Sequence, residues 1–148
     1  MKRLIIKKNL ECKLHQAIKA KDTDTVRTLL SKGADANFPF PQAPSFPFET
    51  PLLLAIKTKD VEIIKLIIER LNKEHDWFLD AMFQALKQGS LKALELLIKN
   101  GANINVVDEE ENTLLHTLFA CMPDNFSKIL EYLIKNTINI SALNLDHQ

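Results

Sequence analysis

The feature that most constrains this chain is an internal repetition. Gly33-Ala34-Asp35-Ala36-Asn37 recurs as Gly101-Ala102-Asn103-Ile104-Asn105, 68 residues later, which is close to twice a period of 33–34. Between them stands Thr50-Pro51-Leu52-Leu53-Leu54-Ala55, echoed by Thr113-Leu114-Leu115-His116 and, worn down, by Lys13-Leu14-His15-Gln16-Ala17. Repetition on this scale belongs to stacked supersecondary units, none of which can bury its apolar face alone. Within each unit the apolar residues follow i, i+3, i+4 spacing: Leu14, Ala17 and Ile18, then Val26, Leu29 and Leu30; Leu52, Ala55 and Ile56, then Ile63, Ile64, Ile67 and Ile68; Met82, Ala85 and Leu86, then Leu94, Leu97 and Ile98. That spacing predicts two short helices per unit, each apolar along one side. Ala17, Ala55 and Ala85 share one position, where a short side chain lets helices approach closely. Asp22, Asp60 and Ser90 fall where each second helix begins, and their oxygens can accept bonds from its free amides. Gly33 and Gly101 fall just past its end, where a left-handed residue stops a helix.

These phrases resemble the ankyrin repeat, with its T-P-L-H-x-A opening, two antiparallel helices and a G-A-D-x-N close that leads into a β-turn finger. The resemblance covers about Glu11 to Asn144 and sets repeats starting near Cys12, Thr50, Asp80 and Thr113. It implies an all-α solenoid of about four repeats with β-turn fingers, occupying residues 12–148 behind an N-terminal cap segment at 1–11. It also implies a noncatalytic module that binds a partner protein segment on the concave surface formed by first helices and fingers. Eukaryotic-like ankyrin proteins include effectors of intracellular bacteria and large viruses that act on host proteins, and sixteen Lys against three Arg suits an AT-rich genome.

Departures from the pattern individualise the chain. Twelve residues, 38–49, stand where the family's finger has about seven, and they hold four of the eight phenylalanines and four of the six prolines. Leu71 replaces the stop glycine of the second repeat, so a longer second helix reaching about Lys73 is expected there, with a stunted finger after His75. A three-residue excess around Met122–Phe126, with Pro123 inside it, is expected to separate the last two helices. Lys21, Lys59, Glu111 and Thr137 also stand where the family favours glycine. The ending at Gln148, just inside the next finger, fits either a polar end-cap or a boundary within a longer protein, in which this stretch is a structural or targeting segment.

Several classes of function fall away. Three glycines cannot build a Gly-rich phosphate cradle. A formal net charge of zero argues against a dedicated nucleic-acid binder, whose affinity comes from clustered Lys and Arg. The balance hides an asymmetry, since residues 1–32 hold nine basic and three acidic side chains, a net +6, and the remainder carries −6. The apolar run Leu52–Ile56 is far too short to span a bilayer, and Leu4-Ile5-Ile6 is too short for a signal peptide, so no membrane contact and a cytoplasmic location, or delivery into a host cell, are expected. Cys12 and Cys121, in the first and fourth repeats, are separated by several helix layers of about 8–10 Å each, too far for a disulfide or shared metal, and are expected as ordinary buried or half-buried thiols. His15 and His116 occupy the family's opening His position, His75 and His147 read as loop residues, and no H-E-x-x-H or C-x-x-C pair supports zinc. No catalytic residues, metal or cofactor are expected.

Binding residues are better motivated. Lys19, Lys57 and Lys87 follow the alanine of three successive first helices, and Lys21 and Lys59 come two residues later. Stacked, they form either a lysine ladder that steers an acidic partner segment or the solvated filler of a lysine-rich chain. Phe38, Phe40, Phe46 and Phe48 alternate with prolines, so this finger folds back on the second repeat, meets an apolar partner surface or stays disordered. Trp77 is either an interface anchor or a staple for the third repeat. Glu109 and Glu110 sit in the acidic run Asp108–Glu111 of the third finger, which is either a solvated tip or the complement of a basic patch, such as the N-terminal end of another copy. The heterologous contact is the weaker expectation, and a monomer is expected.

Overall fold

A computed structural model describes residues 2–38, 49–72 and 78–136. Phe40, Phe46, Phe48, Trp77, His75 and His147 lie outside the described residues. The chain divides into two compact units, Met1–Trp77 and Phe78–Gln148. The first holds α1 (Lys2–Lys19), α2 (Thr23–Ser31), α3 (Pro51–Thr58) and α4 (Val61–Glu69). The second holds α5 (Phe78–Lys87), α6 (Leu91–Lys99), α7 (Leu114–Cys121) and α8 (Phe126–Lys135). Among the described residues there is no strand, so the architecture is the all-α repeat of helix pairs that the periodicity predicts.

The helical faces read from the sequence are the faces that are buried. In the first unit Leu14, Ile18, Val26, Leu52, Ile56, Ile63, Ile64 and Ile67 are sealed from solvent, and α1 packs on both α2 and α3 while α3 and α2 pack on α4. In the second, Met82, Leu86, Leu94, Leu97, Leu114, Leu118, Ile129 and Leu133 do the same, with α5 against α6 and α7. Ala55 and Ala85 are fully buried and Ala17 nearly so, as expected of positions where first helices approach one another.

Helix ends follow their local chemistry. Asp22 Oδ1 accepts from the Thr25 amide at 3.1 Å, Asp60 Oδ1 from those of Glu62 and Ile63 at 3.1 and 3.2 Å, and Ser90 Oγ from Ala93 at 3.3 Å. Gly33 (φ +94°) and Gly101 (φ +101°) close paired bonds back into the last turn. The amides of Ala34 and Gly33 reach the carbonyls of Leu29 and Leu30, and those of Ala102 and Gly101 reach Leu97 and Ile98. Without such a glycine, α4 does not run on to Lys73; it stops at Glu69. The amides of Arg70 and Leu71 tighten onto the carbonyls of Ile67 and Ile68, and the next amide, Asn72, donates to Asn37 Oδ1 at 2.8 Å. A side chain from the first repeat therefore takes the chain out of the helix.

Lys21 (φ +56°), Lys59 (φ +60°) and Glu111 (φ +62°) hold the left-handed conformation that the family gives to glycine, matching Gly89 at φ +63°. Relief of a left-handed penalty of roughly 1–2 kcal/mol, less up to about 1 kcal/mol of added freedom in the unfolded chain, should make Lys59→Gly stabilising by about 0.5–1 kcal/mol. Urea denaturation followed by helical circular dichroism reads that change directly, and Lys21→Gly should behave alike.

Two places are irregular. At the 122–126 excess, Met122 takes φ +43°, Pro123 follows, and α8 begins at Phe126 without a side-chain cap; Asn125 instead donates from Nδ2 to the Gly89 carbonyl at 2.8 Å. The first helix is the other exception: α1 has 18 residues and passes unbroken through positions 11 and 12. Among its residues whose side chains are described, the first buried one is Glu11, and Lys2, Arg3, Ile5, Ile6 and Asn9 are exposed.

Candidate functional site

In the second unit the sequence from Val106 to Asn112 forms the β-turn finger. Val107 and Thr113 pair as an antiparallel bridge, and Asp108 organises the tip. Its Oδ1 accepts from the amides of Glu110 and Asn112, both at 2.9 Å, and its Oδ2 from Asn112 Nδ2 at 3.2 Å. Against a desolvation that pushes the other way, these donors and the charge of Lys87 hold the Asp108 carboxyl below the usual carboxylate range. Thr113 then caps α7: its Oγ1 accepts from the His116 amide, and its own amide donates to His116 Nδ1 at 3.0 Å. This reciprocal capping box gives His116, at the family's opening His position, a structural role within the turn.

The finger, α5 and α7 enclose a groove of about 500 Å³. Leu79, Phe83 and Ala120 supply its apolar lining, and Asp80, Asp108, Glu109 and Glu110 stand against the single cation Lys87. Asp108 is occupied by its turn, and Glu110 shares the Asn112 amide group at 3.3 Å. The side-chain carboxylates of Asp80 and Glu109 form no hydrogen bond or ion pair with any described residue. Sequence reasoning singled out Glu109, Glu110 and Lys87 but missed Asp80 and Phe83. In the sequence Asp80 marks only the start of the third repeat; it falls in the first turn of α5, and the placement of the finger against α5 and α7 brings it to the same groove.

The first unit arranges the other lysines differently. Lys19 ends α1, Lys57 lies in the last turn of α3, and both are exposed. Lys57 Nζ, however, is ion-paired with Glu49, a carboxylate only 7% exposed. Glu49 also acts on His15 of α1, so this buried charge sits among the cations of two neighbouring first helices. No signal in the sequence marked it, since it closes the Phe-Pro insert. Lys21 and Lys59, also exposed, occupy the left-handed turns after α1 and α3. Phe38 is exposed.

Burial first, and then the Lys19 charge, hold the His15 imidazolium below its ordinary value of 6.5, with Glu49 opposing. A histidine depressed in this way keeps its full contribution to stability above about pH 6.5, and loses it as the pH falls through 6.5 towards the folded value, because the unfolded chain then binds the proton more readily. Thermal unfolding between about pH 7.5 and 5 should therefore show a fall in stability that His15→Gln makes shallower.

Both cysteines are free and exposed, not buried: Cys12 lies on the solvent side of α1, and Cys121 ends α7 at the groove. Among the described residues no three His, Cys, Asp or Glu side chains are grouped to hold a metal ion, and no helix is long and apolar enough to cross a membrane.

No curated protein matches the chain. A family model described as ankyrin repeats (3 copies) matches residues 14–108, and the helix pairs, stop glycines and finger documented above are the parts that such a repeat requires. With well over half of its length matched, the chain belongs to the ankyrin-repeat family.

Proposed function

We propose that this chain is a noncatalytic protein-interaction module whose contact surface is made by its first helices and fingers. Ankyrin repeats are in general protein-binding modules. The observation that carries the reading here is the groove between α5 and α7, open under a finger whose tip residues Glu109 and Glu110 are exposed. In the first unit the ends of α1 and α3 offer Lys19, Lys21 and Lys59 to an acidic segment, with Lys57 tempered by Glu49 and Phe38 as an apolar neighbour in sequence. A rigid helix pair presents such side chains at little entropic cost to docking. A location inside a cell, including a host cell to which an effector is delivered, belongs to the same proposal and is supported by two exposed thiols left unpaired.

Photo-crosslinking tests it. A crosslinker placed at Glu109, Ala120 or Lys59 should capture a discrete partner protein in cells, while one at Lys65 of α4 or Lys92 of α6 should not. Capture confined to the second helices overturns the reading.

A second reading, a structural segment that stacks against a further helical element, is favoured by one apolar stripe. Phe126, Leu130 and Ile134 recur at i, i+4 on α8, and Phe119 of α7 packs edge-on against Phe126 with ring centroids 5.1 Å apart. Phe119 and Ile134 are 55% and 50% exposed. Crosslinks from Phe119 or Ile134, and none from the groove, would favour this alternative.

A further inference from the structure

The exposed start of α1 and the α5–α7 groove are opposite in charge, and both carry apolar surface. On α1, Lys2, Ile5, Ile6, Asn9 and Lys13 recur at i, i+3, i+4 spacing and all are exposed, so they share one face. Ile5 and Ile6 are 67% and 60% exposed at its centre, with a lysine towards either end. At 1.5 Å per residue, Lys2 and Lys13 stand roughly 16 Å apart along the axis. The groove offers the complement: Leu79, Phe83 and Ala120 as apolar lining, four carboxylates against one lysine, and in Asp80 and Glu109 two charges that no described residue answers. A membrane surface suits α1 less well, because a helix that lies on lipid separates its polar and apolar faces along its whole length. Here the basic and apolar residues share a face.

We propose that the start of α1 of a second copy seats in the α5–α7 groove, with Ile5 and Ile6 on the Leu79–Phe83–Ala120 lining and Lys2 and Lys13 towards Asp80 and the finger carboxylates. The inference rests on the groove being a binding surface and names its occupant, in place of the monomer expected from the sequence. The two copies use different surfaces, so the contact is heterologous: every joined pair keeps one free groove and one free α1, and assembly continues into a ring or an open filament. One helix face covers less than the roughly 1,200 Å² of a stable interface, so the association is weak and concentration-dependent. Its charges are exposed, so it is also screened: the Debye length falls from about 30 Å at 0.01 M salt to about 8 Å at 0.15 M.

Sedimentation velocity of the full chain tests this, from about 10 to 500 µM protein at about 20 and 500 mM salt. Wild-type protein should sediment faster as its concentration rises at low salt, with association at least about tenfold weaker at high salt. One variant, Asp80→Asn with Glu109→Lys, removes the groove charge; another, Lys2→Glu with Ile5→Ser, removes the α1 face. All four positions are exposed or half-buried, so both variants should keep the wild-type helical spectrum and melting curve. Each alone should remain monomeric, and an equimolar mixture should form a dimer that grows no further, because one intact groove then meets one intact α1. A monomeric wild type, variants that assemble like wild type, or a mixture that stays monomeric overturns the proposal. A monomeric wild type whose groove positions still crosslink a cellular partner leaves the groove reading standing and removes only its self-occupant; loss of both removes both.

Discussion

Ile67→Ala should lower the free energy of unfolding by about 2–5 kcal/mol, the cost of truncating a fully buried isoleucine. Ile67 is fully buried in α4, on the face packed against α2 and α3. Truncation removes the transfer free energy of three carbons and leaves a cavity, and the size of the loss depends on how far the surroundings collapse. Its neighbours Ile63, Ile64 and Ile68 are branched at Cβ and stiff in a helix, so they refill the space poorly. A domain of ordinary stability has only about 5–15 kcal/mol to lose, so the urea midpoint should move far enough to be measured without ambiguity. A loss under about 1 kcal/mol would mean that Ile67 is not in a packed interior.

Gly89→Ala should cost about 1.5–4 kcal/mol, because two separate costs meet at one residue. Gly89 has φ +63°, where any Cβ is strained, and a Cβ built there would lie 3.1 Å from both Asn125 Oδ1 and Pro123 Cβ. Moving Asn125 aside also endangers its Nδ2 bond to the Gly89 carbonyl. Gly33 and Gly101 form the control, since a Cβ at either has nothing within 4 Å, and Gly33→Ala should cost only the backbone term of roughly 1–2 kcal/mol. If Asn125→Ala added to Gly89→Ala recovers part of the loss, crowding is confirmed as the second cost; strict additivity would refute it.

The contrast between Gly89 and its equivalents Lys21 and Lys59 shows what was legible in the sequence. All three positions carry the same left-handed turn, and the alignment of phrases located Lys21 and Lys59 as places where the family favours glycine. What the sequence could not show is that Gly89 is crowded by residues 123 and 125, which approach only after α7 and α8 have packed. Caps, stops and buried faces were readable because their causes lie within four residues of each other. The end of α4 was misread because its cause lies elsewhere: Asn72 is held by Asn37, 35 residues earlier. The exposed first turns of α1 were also unreadable, since helix continues there from the packed part onward with no apolar periodicity to announce it.

The candidate site was half legible. Spacing identified Lys57 and Lys87 as equivalent, and their common place on first helices is real. Equivalence in sequence did not carry equivalence in field. Lys57 faces the buried Glu49, and Lys87 stands in a groove with four carboxylates, because each finger brings its own charge to the helix beneath it. The charge around an equivalent lysine is thus set as much by the connecting segment as by the helix.

The bond from the Asn72 amide to Asn37 Oδ1 has a consequence for hydrogen exchange. That amide lies past the end of α4, outside any helical ladder, and its acceptor belongs to a different repeat. Its proton is released to solvent when the two repeats part, even while α4 itself stays wound. Exchange at Asn72 therefore counts separations of the first repeat from the second, and exchange at the amides within α4 counts unwinding, so two modes of opening can be timed on one molecule.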